Sequence, residues 1–117
     1  MATQMQRARA GEITEEMRIV AEEERVTPEF VRESVAAGRV VIPANTEHKG
    51  LRPRGVGARL RVKVNANIGT SNVFPEIEPE LAKLDEAVRC GADAVMDLST
   101  GDNIDLSRRR IIEPSPV

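Results

Sequence analysis

Residues 60–102 read LRVKVNANIGTSNVFPEIEPELAKLDEAVRCGADAVMDLSTGD, and the fold turns on this stretch. Leu60, Val62 and Val64 alternate with Arg61, Lys63 and Asn65, the period-two pattern of a half-buried strand. Pro79 to Cys90 places Leu81, Leu84 and Val88 on one helical face, and Gly91 supplies the stop. Ala92 to Leu98 reads as a second strand. A turn over Ser99–Asn103 follows, and then a helix over Ile104 to Glu113 that ends before Pro114. Strand, helix, strand, helix at this spacing predicts right-handed parallel crossover units, the hallmark of an α/β fold. The pattern stops at Ser115-Pro116-Val117, where a third strand would begin. A two-strand parallel sheet leaves its faces poorly covered and both edges unpaired. Either Arg39 to Ile42 joins the sheet, or another chain does, or the sequence is the N-terminal part of a longer protein; the last fits best.

Upstream of this stretch, residues 1–10 are polar and basic without periodicity and are expected to form an unstructured arm. Ile13, Met17, Val20 and Ala21 recur at helical spacing, predicting an amphipathic helix over Glu12–Glu24 with a narrow apolar stripe. Thr27-Pro28 is a helix start: the hydroxyl can accept from an orphan N–H, and Pro28 loses no hydrogen bond at the first helical position. Val26 and Val31 stand at the two positions of a hydrophobic staple, and Gly38 ends the helix. Arg39–Ile42 reads as a short strand closed by Pro43, and Pro43–Arg59 as a long loop.

Composition narrows the function classes. The chain has 117 residues, 40% apolar and 31% charged, with one cysteine and one histidine. That is the balance of one soluble globular domain, expected in the cytoplasm because MATQMQRARA lacks the apolar core of a signal peptide. No stretch approaches the roughly 18 consecutive apolar residues of a membrane span. Cys90 and His48 cannot supply the four ligands of a structural zinc site, and one thiol cannot hold an iron–sulfur cluster. A net charge of -2 with only two aromatics, Phe30 and Phe74, argues against nucleic acid.

Ligands of parallel α/β folds bind at the C-terminal ends of strands. Two loops have that location: Asn65–Asn72 and Asp97–Asp102. Their amides, hydroxyls and carboxylates could orient a polar small molecule, or could serve only as turn formers and caps. Asp97, directly after an apolar strand, needs a partner or a catalytic use. Gly55-Val56-Gly57 precedes its strand and lacks a third glycine, so it is no dinucleotide fingerprint. His48 to Lys63 carries six cations, Lys49, Arg52, Arg54, Arg59, Arg61 and Lys63, and no acid. This patch is either a solvated loop and strand face, or a surface for a phosphate or an acidic partner such as the Glu-rich first helix. His48 without a second candidate ligand reads as a surface residue, and Cys90 as a small apolar packing group.

Three segments carry a resemblance: MQRARAGEITEEMRIVAEEERVTPEFVRESVAAGRVVIPAN, RVKVNANIGTS and GADAVMDLSTG. Together they resemble the N-terminal third of phosphomethylpyrimidine synthase, the ThiC family of thiamine biosynthesis, over Thr3 to Val117. The resemblance implies a radical S-adenosylmethionine lyase that rearranges 5-aminoimidazole ribonucleotide into 4-amino-5-hydroxymethyl-2-methylpyrimidine phosphate. It implies a helical N-terminal region over 1–59, and over 60–117 the first two βα units of a (β/α)8 barrel. A 4Fe-4S cluster, S-adenosylmethionine and zinc are the implied cofactors; the cluster cysteines and zinc histidines belong to later segments of the family, and none of the three has a ligand identified in this chain. Asn67 and Met96 match family positions that contact the ribonucleotide, with Asp97, Ser99, Thr100 and Gly101 as a supporting shell. The family usually reads DLSTGG, where this chain has Gly101-Asp102. The isolated chain is expected to be inactive as a synthase, because it cannot bind the cluster. The alternative is a non-catalytic assembly module whose acidic helices and basic loop mediate homodimerisation or pairing with a full-length homologue. A small independent enzyme built on Asp97 is the third reading.

Overall fold

Thr3 starts a helix that composition does not announce. Its hydroxyl accepts from the Gln6 N–H while the Gln6 side chain accepts from the Thr3 N–H, so a reciprocal capping box begins α1, Gln4–Arg9. The computed structural model describes residues 2–117, so the expected unstructured arm is, from Gln4 to Arg9, a helix. Ala8 is fully buried and Met5 packs against the same core, which supplies the apolar anchoring that a polar segment was expected to lack.

The described residues form two compact units. The first comprises the residues up to Asn45 together with Arg52–Val62. Here α2, Glu15–Glu24, is capped by Thr14, whose Oγ1 accepts from the Met17 N–H at 3.2 Å and donates to Gln4 Oε1 at 2.7 Å. Helix α3, Pro28–Ala36, is capped by the Thr27 hydroxyl, as the Thr-Pro pair predicts. Gly38, at φ +71°, ends it. Helices α1 and α2 both pack on α3 around Met17, Val20, Ala21, Val31 and Val35. Strand β1 is only Val40–Val41, and it pairs antiparallel with β2, Val56–Gly57, inside the segment expected to be loop. A two-residue strand has too little sequence to show a period; its pairing is set by tertiary contact. At Gly57 a Cβ would fall 2.2 Å from the Arg39 carbonyl oxygen, so this glycine serves close backbone approach and not a phosphate.

The basic segment finds its acids within this unit. Arg52 and Arg54 both pair with Glu23, and the Arg61 N–H donates to Glu24 Oε2 at 2.7 Å. Arg59 stacks over the Phe30 ring at 5.3 Å. Glu23 and Arg54 keep only 18% and 21% of their side-chain surfaces exposed, so this pair is screened less than a surface pair. Replacing Glu23 with alanine is expected to cost about 1–3 kcal/mol by removing the half-buried carboxylate that both guanidinium groups share. Urea unfolding measures this directly, and a loss below about 0.5 kcal/mol would mean solvent already satisfies both arginines.

The second unit, Thr46–Leu51 with Lys63–Val117, carries the parallel pattern. Strand β3 is Asn65–Ile68, α4 is Glu78–Arg89, β4 is Ala94–Asp97 and α5 is Ile104–Ile112. Strands β3 and β4 pair in parallel with Asn65 opposite Ala94 and Ile68 opposite Asp97, so the mixed α/β class holds. Strands β1 and β2 form a separate sheet, so Arg39–Ile42 does not extend the parallel one. No closed barrel is present among the described residues.

The first parallel strand lies later than its alternation predicts. Leu60–Val64 is irregular, with Val62 85% and Val64 58% exposed, and the ladder starts at Asn65. Asp93 sets that start: its Oδ2 accepts from the Val64 N–H at 2.9 Å, and its own N–H donates to the Val64 carbonyl. One face of the pair, Ala66 and Ile68 with Val95 and Asp97, turns toward the helices, where Ile68, Leu84 and Ile111 form a small core. No described helix is long and apolar enough to cross a membrane.

Candidate functional site at the ends of the parallel strands

The opposite face of the pair is open. Asn65 and Asn67 of β3 and Ala94 and Met96 of β4 point to it by the period of two, and all four are exposed. Asn67 is the direct register partner of Met96, so the structure brings the two resemblance-derived residues side by side on one face. The strand shift moves Asn67 from the expected loop onto the strand itself. Asn65 Nδ2 donates to Asn67 Oδ1 at 2.7 Å, which fixes the Asn67 amide plane; the Asn67 Nδ2 group takes no partner among the described residues.

Beyond the ladder the two loops stay joined. The Leu98 N–H donates to the Ile68 carbonyl at 2.7 Å, the Thr70 N–H to Ser99 Oγ at 3.1 Å, and the Thr100 N–H to the Thr70 carbonyl at 2.9 Å. Ser99 Oγ in turn donates to Asp97 Oδ1 at 2.5 Å, and the Ser99 N–H donates to the same oxygen at 3.0 Å. Asp97 therefore has partners on one oxygen. Its Oδ2 is buried without a hydrogen bond and faces Arg108 Nε at 3.8 Å. Thr70 Oγ1 is likewise buried and unbonded. Gly101 packs against Ser71, where a Cβ would sit 3.1 Å from the carbonyl oxygen. Asp102 does not adopt positive φ, so the departure from the family's second glycine imposes no backbone strain; Asn103 takes the left-handed conformation instead, at φ +61°.

The remaining candidates lie elsewhere. His48 Nε2 donates to the Ser115 carbonyl at 2.8 Å and is half-buried, so it is more enclosed than a simple surface residue. Cys90 does not pack as an apolar group: it is exposed, and its thiol donates to Glu86 Oε1 at 3.3 Å. Its place on the outer side of α4 explains the difference. The Glu86 carboxylate pushes the thiol pKa up, while the Arg89 guanidinium, with Cys90 second, holds the Glu86 carboxyl below the usual carboxylate range. Arg110 does the same for Glu78 at the start of α4. Among the described residues no three His, Cys, Asp or Glu side chains converge as a metal site.

Sequence reasoning missed Glu80. Its carboxylate is buried, accepting from the Gly69 N–H at 2.7 Å through Oε2 and from Lys83 Nζ at 2.7 Å through Oε1. A signal was present: a glutamate three residues after Ile77, which offers no capping side chain.

Parallel strands ending in linked polar loops, with an amide and a thioether side by side on an open face, define an α/β protein whose polar groups gather at the strand ends, the place where ligands of such folds bind. A family model described as the Radical SAM ThiC family matches residues 3–117, and the chain belongs to that family. It is 59% identical over 115 residues to a phosphomethylpyrimidine synthase of Thermoanaerobacter sp. (strain X514) and 60% identical over 115 residues to one of Desulforamulus reducens. Against one of Thermus thermophilus it is 55% identical over 116 residues. Each match covers 98% of this chain, and the chain spans 27% of the length of these curated relatives.

Proposed function

We propose that this chain is the N-terminal part of a phosphomethylpyrimidine synthase and that its β3–β4 pair supplies one wall of the site for 5-aminoimidazole ribonucleotide. The observation that carries this reading is the register of Asn67 with Met96 on the open face. Asn67 Nδ2 would donate to a polar group of the ligand, and the Met96 thioether would lie against the imidazole ring, a contact worth about 0.3–1.5 kcal/mol. Asp97, Ser99, Thr100 and Gly101 would hold the second loop in place behind them.

On this reading β3–α4–β4–α5 is the opening of a (β/α)8 barrel, with residues 1–59 as a preceding helical region. The open face bearing Asn67 and Met96 would be the barrel interior, and α4 and α5 would lie outside, as the burial of Ile68, Leu84 and Ile111 supports. Parallel strands are normally covered on both faces, which favours further strands around this pair.

Radical chemistry in this family needs a cluster and S-adenosylmethionine. The donors of this segment do not fit the cluster: one thiol, Cys90, exposed on Glu86, and one imidazole, His48, held by the Ser115 carbonyl. The segment's own residues bind and orient substrate. The isolated chain is expected to show no synthase activity. The assembly alternative would use the acidic helix and the basic loop, yet Glu23 and Glu24 are already engaged within the chain, which favours the enzyme reading.

The direct test replaces the matching segment of the Thermoanaerobacter relative with residues 3–117. The chimera is expected to turn over 5-aminoimidazole ribonucleotide within about tenfold of its parent. A folded, cluster-loaded chimera with no turnover would overturn the proposal.

A further inference from the structure

We infer that Glu80 is a positioning residue for this site: its carboxylate clamps the Gly69 amide and thereby fixes the strand end that presents Asn67. The inference rests on the reading of Asn67 and Met96 as ribonucleotide contacts.

In a parallel ladder, consecutive peptide groups point alternately to the two sides of a strand. The Ile68 carbonyl points to β4, where it accepts from the Leu98 N–H. The N–H on the far side of that same peptide group, that of Gly69, therefore points to the other edge of β3, which has no strand partner among the described residues. An amide at such an edge, once buried, needs an acceptor. Glu80 Oε2 supplies it at 2.7 Å, and Lys83 engages the second oxygen.

The origin of Glu80 makes this assignment specific. It is the third residue of α4, where a glutamate ordinarily reaches back to the helix's own first N–H groups. Here it reaches eleven residues back to the strand end instead. A buried carboxylate is costlier than an apolar side chain of the same volume, so its presence marks a need for a fixed acceptor and not for core packing. Gly69 is then confined from both sides. Glu80 holds its N–H, and on the β4 side the Ser99 nitrogen approaches within 2.5 Å of where a Cβ would stand. Asn67 lies two residues upstream on the same strand, so the clamp fixes the strand end next to it, while the ladder register keeps it opposite Met96.

Amide hydrogen exchange on the 117-residue chain reads the clamp without any ligand. Glu80→Ala is expected to speed exchange at the Gly69 N–H about tenfold or more, while the Val88 and Ile111 amides, in α4 and α5 of the same unit, keep their protection and report that this unit stays folded. Glu80→Gln retains an acceptor oxygen and is expected to restore most of the Gly69 protection. Unchanged protection in Glu80→Ala, or a glutamine variant no better than alanine, would overturn the inference. In the chimeric enzyme, Glu80→Ala is expected to raise KM for the ribonucleotide about fivefold with kcat changed less than about twofold, and Glu80→Gln to lie close to the parent. A raised KM in Asn67→Ala beside an unchanged KM in Glu80→Ala overturns the role of Glu80 alone. An unchanged KM in Asn67→Ala overturns the ribonucleotide reading, and this inference with it.

Discussion

Gly69→Ala is expected to destabilise the chain by about 2–4 kcal/mol, a large share of the stability of a domain this size. Gly69 has φ +153°, a conformation that side chains with a Cβ rarely adopt. The added methyl carbon would lie 2.5 Å from the Ser99 nitrogen and 2.6 Å from the Leu98 carbonyl carbon, both backbone atoms. Neither can retreat cheaply, because Leu98 is bonded to Ile68 and Ser99 to both Asp97 and Thr70. The substitution therefore forces open the seam between the two loops. Urea denaturation of Gly69→Ala and of the parent chain measures the difference; a loss below about 1 kcal/mol would show that the seam is not the close-packed junction described here.

Asn67→Ala in the chimeric enzyme is expected to lower kcat/KM about 10- to 100-fold, mostly through KM, corresponding to roughly 1.4–2.8 kcal/mol of lost binding. The effect should be specific. Asn67 is exposed and contributes nothing to the core of its unit, so the variant should fold and load its cluster as the parent does. Its loss also frees Asn65, whose amide otherwise donates to Asn67 Oδ1. Asn65→Ala should have a smaller effect of the same sign, because it removes only the group that orients the Asn67 amide. Equal kinetics in Asn67→Ala and parent would place the ribonucleotide elsewhere.

The parallel unit was largely legible: α4 and α5 follow from helical periodicity and their stops, and β4 from an apolar run between Gly91 and a polar turn. Strand β3, which starts at Asn65 and not at Leu60, was misplaced for an instructive reason. Leu60, Val62 and Val64 have strand propensity and alternate, yet two of them are among the exposed apolar residues. The true strand, Asn65–Ile68, contains two asparagines, which are depleted in strands. A strand written in residues that disfavour strands violates local preference, and such violations concentrate where a surface serves a ligand. Helix α1 was legible in Thr3 and Gln6, whose spacing is that of a capping box, but basic composition hid it. Strand β2 could not have been read, since two residues have no period. The partner of the basic segment was among the expected options, and Glu23 and Glu24 provide it.

The central claim, that the β3–β4 pair faces the ribonucleotide, is tested most directly by the methionine methyl spectrum of the chimera carrying carbon-13 in its methionine methyl groups. Met96 lies on the open face, whereas Met17 is buried and Met5 packs against the core of the first unit. On addition of saturating 5-aminoimidazole ribonucleotide, the Met96 methyl resonance, assigned through Met96→Leu, is expected to shift while those of Met5 and Met17 stay in place. A Met96 resonance unmoved at saturation would contradict the assignment of this strand pair to the substrate site.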